Sequence, residues 1–149
     1  MLDDNQIYQI RAEAKKLDDA VEDKDVETFL SCFAENCEIE LFGIRLQGKE
    51  GLQKSIDWMY EKIDQIKFEP ITIIVEGNTF FEEFYLLARL ENGSEMKIKA
   101  AEVLIYDDLK VISLRLYFDR MQLGNLLAKG FIDKLLFQKM NKITLKGLI

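Results

Sequence analysis

The hydrophobic pattern of this chain changes period once, and that change constrains the fold more than any other feature. Up to about residue 66 apolar residues return at helical spacing; beyond Pro70, the only proline, they alternate. Ile7, Ile10, Ala14, Leu17 and Val21 mark one apolar stripe over residues 4–23. Val26, Phe29, Leu30 and Phe33 mark a shorter one over 25–34, and Leu52, Ile56, Met59 and Ile63 a third over 49–66. Between the second and third, residues 37–41 alternate as a strand, and Gly43 and Gly48 punctuate a turn and a helix start. Segments 71–76, 79–91, 95–106 and 110–119 then read as consecutive strands. Asn92-Gly93 signals a two-residue type I′ hairpin, and Asp107-Asp108-Leu109-Lys110 a weaker one, because Leu109 stands where glycine relieves a positive φ. Helices first and an antiparallel meander afterwards predict an α+β fold.

At 149 residues the chain is long enough for one well-buried core. Its net charge of −7 lacks the basic footprint that broad binding to nucleic acid or anionic lipid requires. The charge is uneven: residues 121–149 hold five Lys and one Asp, a net +4, against −11 for residues 1–120. No apolar run approaches the ~20 residues of a membrane span. Met1-Leu2-Asp3-Asp4-Asn5 lacks the pattern of a signal peptide, and Cys32 and Cys37 suit small buried apolar positions, so a cytoplasmic location is expected. With no histidine, Ser-His and Cys-His nucleophiles are excluded and no metal or cofactor is expected; acid–base work falls to Asp, Glu, Tyr or Lys.

The candidate site starts from the strand that ends Arg115-Leu116-Tyr117-Phe118-Asp119. Alternation sets Ser113, Arg115, Tyr117 and Asp119 on one face, offering a guanidinium, a phenol and a carboxylate. With Asn92-Gly93 and Asp108-Leu109 at the hairpin centres, Glu83 is expected opposite Glu102 and Glu102 opposite Arg115. Tyr85 and Tyr117 then flank that row. Opposed carboxylates in a sheltered site cannot both ionise freely, so one is held as an acid. A one-residue bulge in either hairpin flips the row. Plainer readings stand beside this one: Asp119 with Gln122 fits a helix cap, Glu102 with Arg115 an ordinary ion pair, and the tyrosines a pocket wall. Glu82 reads as solvated strand charge.

Four stretches carry a family resemblance. Phe33-Ala34-Glu35-Asn36-Cys37, Leu46-Gln47-Gly48-Lys49-Glu50-Gly51-Leu52, and Ala101-Glu102-Val103-Leu104 followed by Asp108-Leu109-Lys110-Val111 resemble, in order, motifs of the SnoaL-like branch of the NTF2-like superfamily. The resemblance covers about residues 5–128. It implies a curved antiparallel sheet wrapped by N-terminal helices into a cone with an apolar cavity, plus a C-terminal helical tail. That suggests a domain over 1–128 and a Lys-rich extension over 129–149. It implies a pocket for a small apolar or partly polar ligand, with metal-free cyclase, dehydratase, isomerase or hydratase chemistry; the alternative is a non-catalytic ligand-binding or protein-interaction module. In the cyclases an acid–base Asp takes the place of Asp119, and in the epoxide hydrolases catalytic aspartates take the places of Asp119 and Glu102. The arginine between them would fall at Ala100, which breaks that arrangement. Leu41 replaces the base of the steroid isomerases. Asp119 and Glu102 are thus the candidate catalytic residues, and Arg115, Tyr117, Tyr85 and Glu83 the candidate substrate contacts.

Two outcomes are open for the strongly apolar second face of the sheet, which carries Phe80, Phe84, Leu86, Leu90, Val103, Ile105, Ile112, Leu114, Leu116 and Phe118. Either it packs on the helices and leaves the polar row outside, or it is a homodimer interface while the polar row lines the cavity. The resemblance favours the second. The tail, with Leu123, Leu126, Leu127, Phe131, Leu135, Leu136 and Met140 near helical spacing, is expected to pack across the cavity mouth or on the acidic domain; a membrane surface is the alternative.

Overall fold

The computed structural model describes residues 4–149, which form two compact units, one ending at Phe118 and the other spanning Asp119–Ile149. In the first, helix α1 (Asp4–Glu22) and helix α2 (Val26–Ser31) precede strands β1 (Phe33–Leu41) and β2 (Ile44–Gln47). Helix α3 (Gly48–Lys62) follows, then β3 (Ile63–Glu76), β4 (Thr79–Leu90), β5 (Glu95–Asp107) and β6 (Lys110–Phe118). The strands form one sheet in the order β2-β1-β6-β5-β4-β3. All pairs are antiparallel except β1–β6, so the sheet is mixed.

Local chemistry explains the boundaries. Asp25 caps α2 by accepting from the Thr28 N–H at 3.0 Å. Lys49 closes the other end, donating to the carbonyls of Leu30 and, at 2.7 Å, of Phe33. Helix α3 stops four residues earlier than its apolar spacing suggests, because Ile63 already has extended backbone (φ −118°, ψ 117°). Ile63 and Ile66 bury in β3 instead. Pro70 therefore lies inside a strand, which the edge position of β3 permits, and the ladder slips between Pro70 and Thr72. Phe42 and Gly43, both at positive φ, make the tight β1–β2 turn.

One face of the sheet packs on the helices. Phe80, Phe84, Ala88 and Leu90 of β4 and Met96, Ile98, Ala100 and Leu104 of β5 bury against an apolar layer that includes Ile10, Ala14, Leu17 and Val21 of α1 and Leu52 and Ile56 of α3. Each large side chain buried there contributes about 1.5–3 kcal/mol. Polar ties fix the layer: the Tyr60 hydroxyl donates to the Val21 carbonyl at 3.0 Å, and the Phe68 N–H donates to Glu22 at 2.8 Å. The apolar face is therefore covered by the chain's own helices, not held for a second subunit. Both cysteines are free and buried.

The hairpins set the register, and both depart from expectation. Between β4 and β5 the loop has three residues, not two. Gly93, at φ +83°, donates to the Leu90 carbonyl at 2.9 Å, and Leu90 donates to Ser94 at 2.8 Å. This is a tight turn followed by a left-handed glycine, the three-residue hairpin form. Glu82, not Glu83, faces Glu102. Between β5 and β6, Asp108 and Leu109 do form the two-residue turn, with φ of 46° and 59°. A bulge at Ile112 then sets Leu116, not Arg115, opposite Glu102. The expected Glu83–Glu102–Arg115 row does not form.

The second unit consists of α4 (Arg120–Leu127) and α5 (Phe131–Thr144). The Phe137 ring lies against Gly124, so close that a Cβ there would stand 2.6 Å from it. None of the residues of α5 is buried.

Candidate functional site

The corrected register gathers three carboxyl groups between α1 and the sheet. Glu82 and Glu102 are direct cross-strand partners, 1% and 7% exposed. Asp18, one turn beyond Ala14 on the inner stripe of α1, completes the cluster, and one carboxylate oxygen from each lies within 4.8 Å of the others. Like charges directly opposed across a ladder are destabilising, and here they are enclosed by Phe80, Phe84, Ala100 and Leu104. No stability argument accounts for such a pair.

The cluster lives with this by holding protons. Burial, more than anything else, pushes the Asp18 carboxyl far up, and the charges of Glu102 and Glu82 add to it. Burial raises Glu102 too, followed by the charge of Glu82. Glu82 is pushed up to about 7 by burial, while a hydrogen bond with Asp18 pulls it back down. That hydrogen bond favours the ionised form of Glu82, while burial disfavours it in all three groups. This separation divides the roles of base and acid. Oxygens so placed could also surround a hard divalent cation.

Two polar atoms facing this layer have no partner among the described residues: Oε2 of Glu82 and the hydroxyl of Tyr106. Tyr106 is 3% exposed, on the same face of β5 as Glu102. Burial raises its phenol, and the charges of Glu102, Cys32 and Asp18 raise it further. A buried hydroxyl left without a bond costs about 1–3 kcal/mol.

The remaining candidates lie elsewhere. Glu83, Tyr85, Arg115 and Tyr117 project from the opposite, outer face. There Glu83 meets Lys99 at 3.5 Å, and Tyr85 lies beneath Lys97 and Lys99, at 4.3 and 5.6 Å from the ring centre. Tyr117 is 52% exposed. Asp119 belongs to the second unit and caps α4, accepting from the Met121 N–H at 2.9 Å. Only Glu102 of the six is in the buried cluster. An open groove of about 960 Å³ runs past Glu22, Asp64, Arg89 and Lys97, but the cluster does not line it. Asp64 and Arg89 are already paired there at 2.8 Å.

Sequence reasoning missed Asp18, Glu82 and Tyr106, yet a signal was present. Phe80, Phe84 and Leu90 share a parity that includes Glu82. Asp18 likewise sits among Ala14, Leu17 and Val21 on the inner stripe.

Helices on one face of a six-stranded mixed sheet, with polar groups trapped between the layers, define a class of α+β domains. The SnoaL-like domain family matches residues 14–113, and the chain belongs to that family. Among solved structures the fold is similar to an NTF2-like protein of unknown function from Burkholderia pseudomallei K96243, with TM-score 0.75, 14% identity, 81% of this chain and 98% of that one covered. It is also similar to a protein named as a SnoaL-like polyketide cyclase from Shewanella denitrificans OS-217 (0.71, 11%, 79% and 96%). A third similar structure is TerC co-crystallised with polyporic acid (0.71, 14%, 79% and 97%). At these identities the likeness is one of fold. No curated protein matches the sequence. Among the described residues no helix is long and apolar enough to cross a membrane.

Proposed function

We propose that this SnoaL-like domain binds a small organic molecule between α1 and the sheet and moves protons on it without a metal. The observation that carries the reading is the buried Asp18–Glu82–Glu102 cluster, with its unpartnered oxygen on Glu82 and the unpartnered hydroxyl of Tyr106. Glu82, titrating near 7, is the base, and its free Oε2 is the oxygen available to a substrate proton. Glu102 and Asp18, held neutral by burial, are the proton donors. Tyr106 donates to an oxygen on which negative charge develops. The substrate is a small carbonyl compound with an acidic C–H, as aldol cyclisation, isomerisation and dehydration all require. Asp18, only partly buried, marks the way in.

Proton exchange tests this directly. In D₂O the chain should accelerate loss of the α-protons of small 1,3-dicarbonyl compounds, followed by proton NMR. Glu82→Gln should remove about 10²–10⁴-fold of that acceleration, and Asp119→Asn none. No acceleration across a varied set, or equal acceleration by Glu82→Gln, would sink the catalytic reading.

The near-closed state of Glu82 favours a second reading, a non-catalytic module that holds a ligand through these groups. In that case Glu82→Gln alters binding of a ligand and no exchange occurs. We further propose that the outer sheet face, where Ile74 and Tyr117 are half exposed, seats a second copy. The free buried cysteines support a reducing, cytoplasmic setting.

A further inference from the structure

The second unit has a surface that the proposed chemistry leaves unused. Ile132, Leu136, Met140 and Ile143 of α5 repeat at intervals of four, four and three, which places them on one helix face. They are 72%, 54%, 51% and 63% exposed, with Leu135 beside them and Phe131 at the start of the helix at 82%. So many large apolar groups in one short helix do not stay in water without a purpose. Phe137 does not share in this exposure, because its ring turns back onto Gly124 of α4. That contact fixes the rotation of α5 within its own unit and leaves the stripe unpartnered.

Charge points to the occupant. Lys139 and Lys142 border the stripe, and Lys129, Lys134 and Lys146 bring the residues beyond 120 to a net +4, whereas residues 1–120 carry −11. Around the exposed apolar stripe of this unit the charge is thus net positive, whereas the rest of the chain is net negative. Lysine stems can lie along apolar surface while their ammonium groups reach outward. At fourteen residues α5 is about 21 Å long, too short to span a bilayer and well suited to lie along one. Fields are screened beyond about 8 Å at physiological salt, so a local basic face acts at contact despite the acidic whole.

We propose that α5 is an interfacial helix that seats on an anionic lipid surface, its stripe in the acyl boundary and its lysines among the headgroups. The full chain should sediment with vesicles of phosphatidylcholine containing phosphatidylserine and remain free with phosphatidylcholine alone. Leu136→Glu with Met140→Glu, both at exposed positions, should abolish sedimentation while leaving the circular dichroism of the sheet unchanged. Lys139→Gln with Lys142→Gln should weaken it about tenfold or more. Raising salt from about 0.1 to about 0.5 M should weaken it in parallel. Failure to bind phosphatidylserine vesicles would overturn the proposal, as would binding that survives the double glutamate change. A chain that ignores vesicles but changes from dimer to monomer on that change has a second copy on its stripe, which also overturns it.

Discussion

Glu102 occupies a place where an ionised carboxylate would be intolerable, and its consequences for stability have a definite sign. A carboxyl whose folded-state pKa is raised binds its proton more tightly folded than unfolded. Its stabilising contribution is complete below the ordinary carboxylate range near 4 and is lost as pH rises through the folded value. With Asp18, Glu82 and Glu102 all raised, stability should fall steadily from about pH 5 toward and beyond pH 8. Glu102→Gln should flatten that slope and raise stability at pH 8 by about 1–4 kcal/mol, as urea titrations at two pH values would show. Loss of stability at pH 8 in that variant would count against a costly buried charge. Tyr106→Phe removes an unpartnered hydroxyl, so it should leave stability unchanged or higher. Its exchange rate should nevertheless fall. Asp119→Ala should cost about 0.5–2 kcal/mol in the second unit and Asp119→Asn little, which helicity of the isolated variants would report.

At the scale of elements, the helical and extended segments were legible because each carries one strong period. What was not legible was where the period-two segments meet. A type I′ pair at Asn92-Gly93 and a three-residue loop with Gly93 left-handed use the same residues, and only the second adds the residue that turns Glu82 inward. The bulge at Ile112 has no glycine to announce it, so Arg115 was paired with the wrong neighbour. Glu102 was expected on the polar row with Arg115, but the register sets it on the face of Phe80 and Phe84, opposite Glu82; Glu82 and Glu83 exchange faces on a shift of one. Asp18 needed tertiary knowledge, since a carboxylate on an inner helix stripe reads as a boundary residue until its partners are known. The second turn still carries strain: Leu109 holds φ 59°, and Leu109→Asn should stabilise the hairpin by roughly 1 kcal/mol, measurable by urea unfolding.

For the whole molecule, the covered apolar face moves any dimer to the outer face of the sheet. Ile74→Glu or Tyr117→Lys should then halve the mass seen by light scattering from about twice the 17.4 kDa chain. A wild-type chain that is monomeric at micromolar concentration would remove that interface. The likeness to solved structures is one of fold, so the proposed function rests on the buried carboxyl cluster. The most direct measurement is a ¹³C titration of the Asp and Glu carboxyl carbons in the intact chain. The account predicts that Glu82 changes state near pH 7 and that Asp18 and Glu102 titrate above it, each assigned by loss of its signal in the Asn or Gln variant. If all three change state near 4, with the ordinary carboxylates of the surface, the cluster holds no shared proton and the proposed chemistry has no acid.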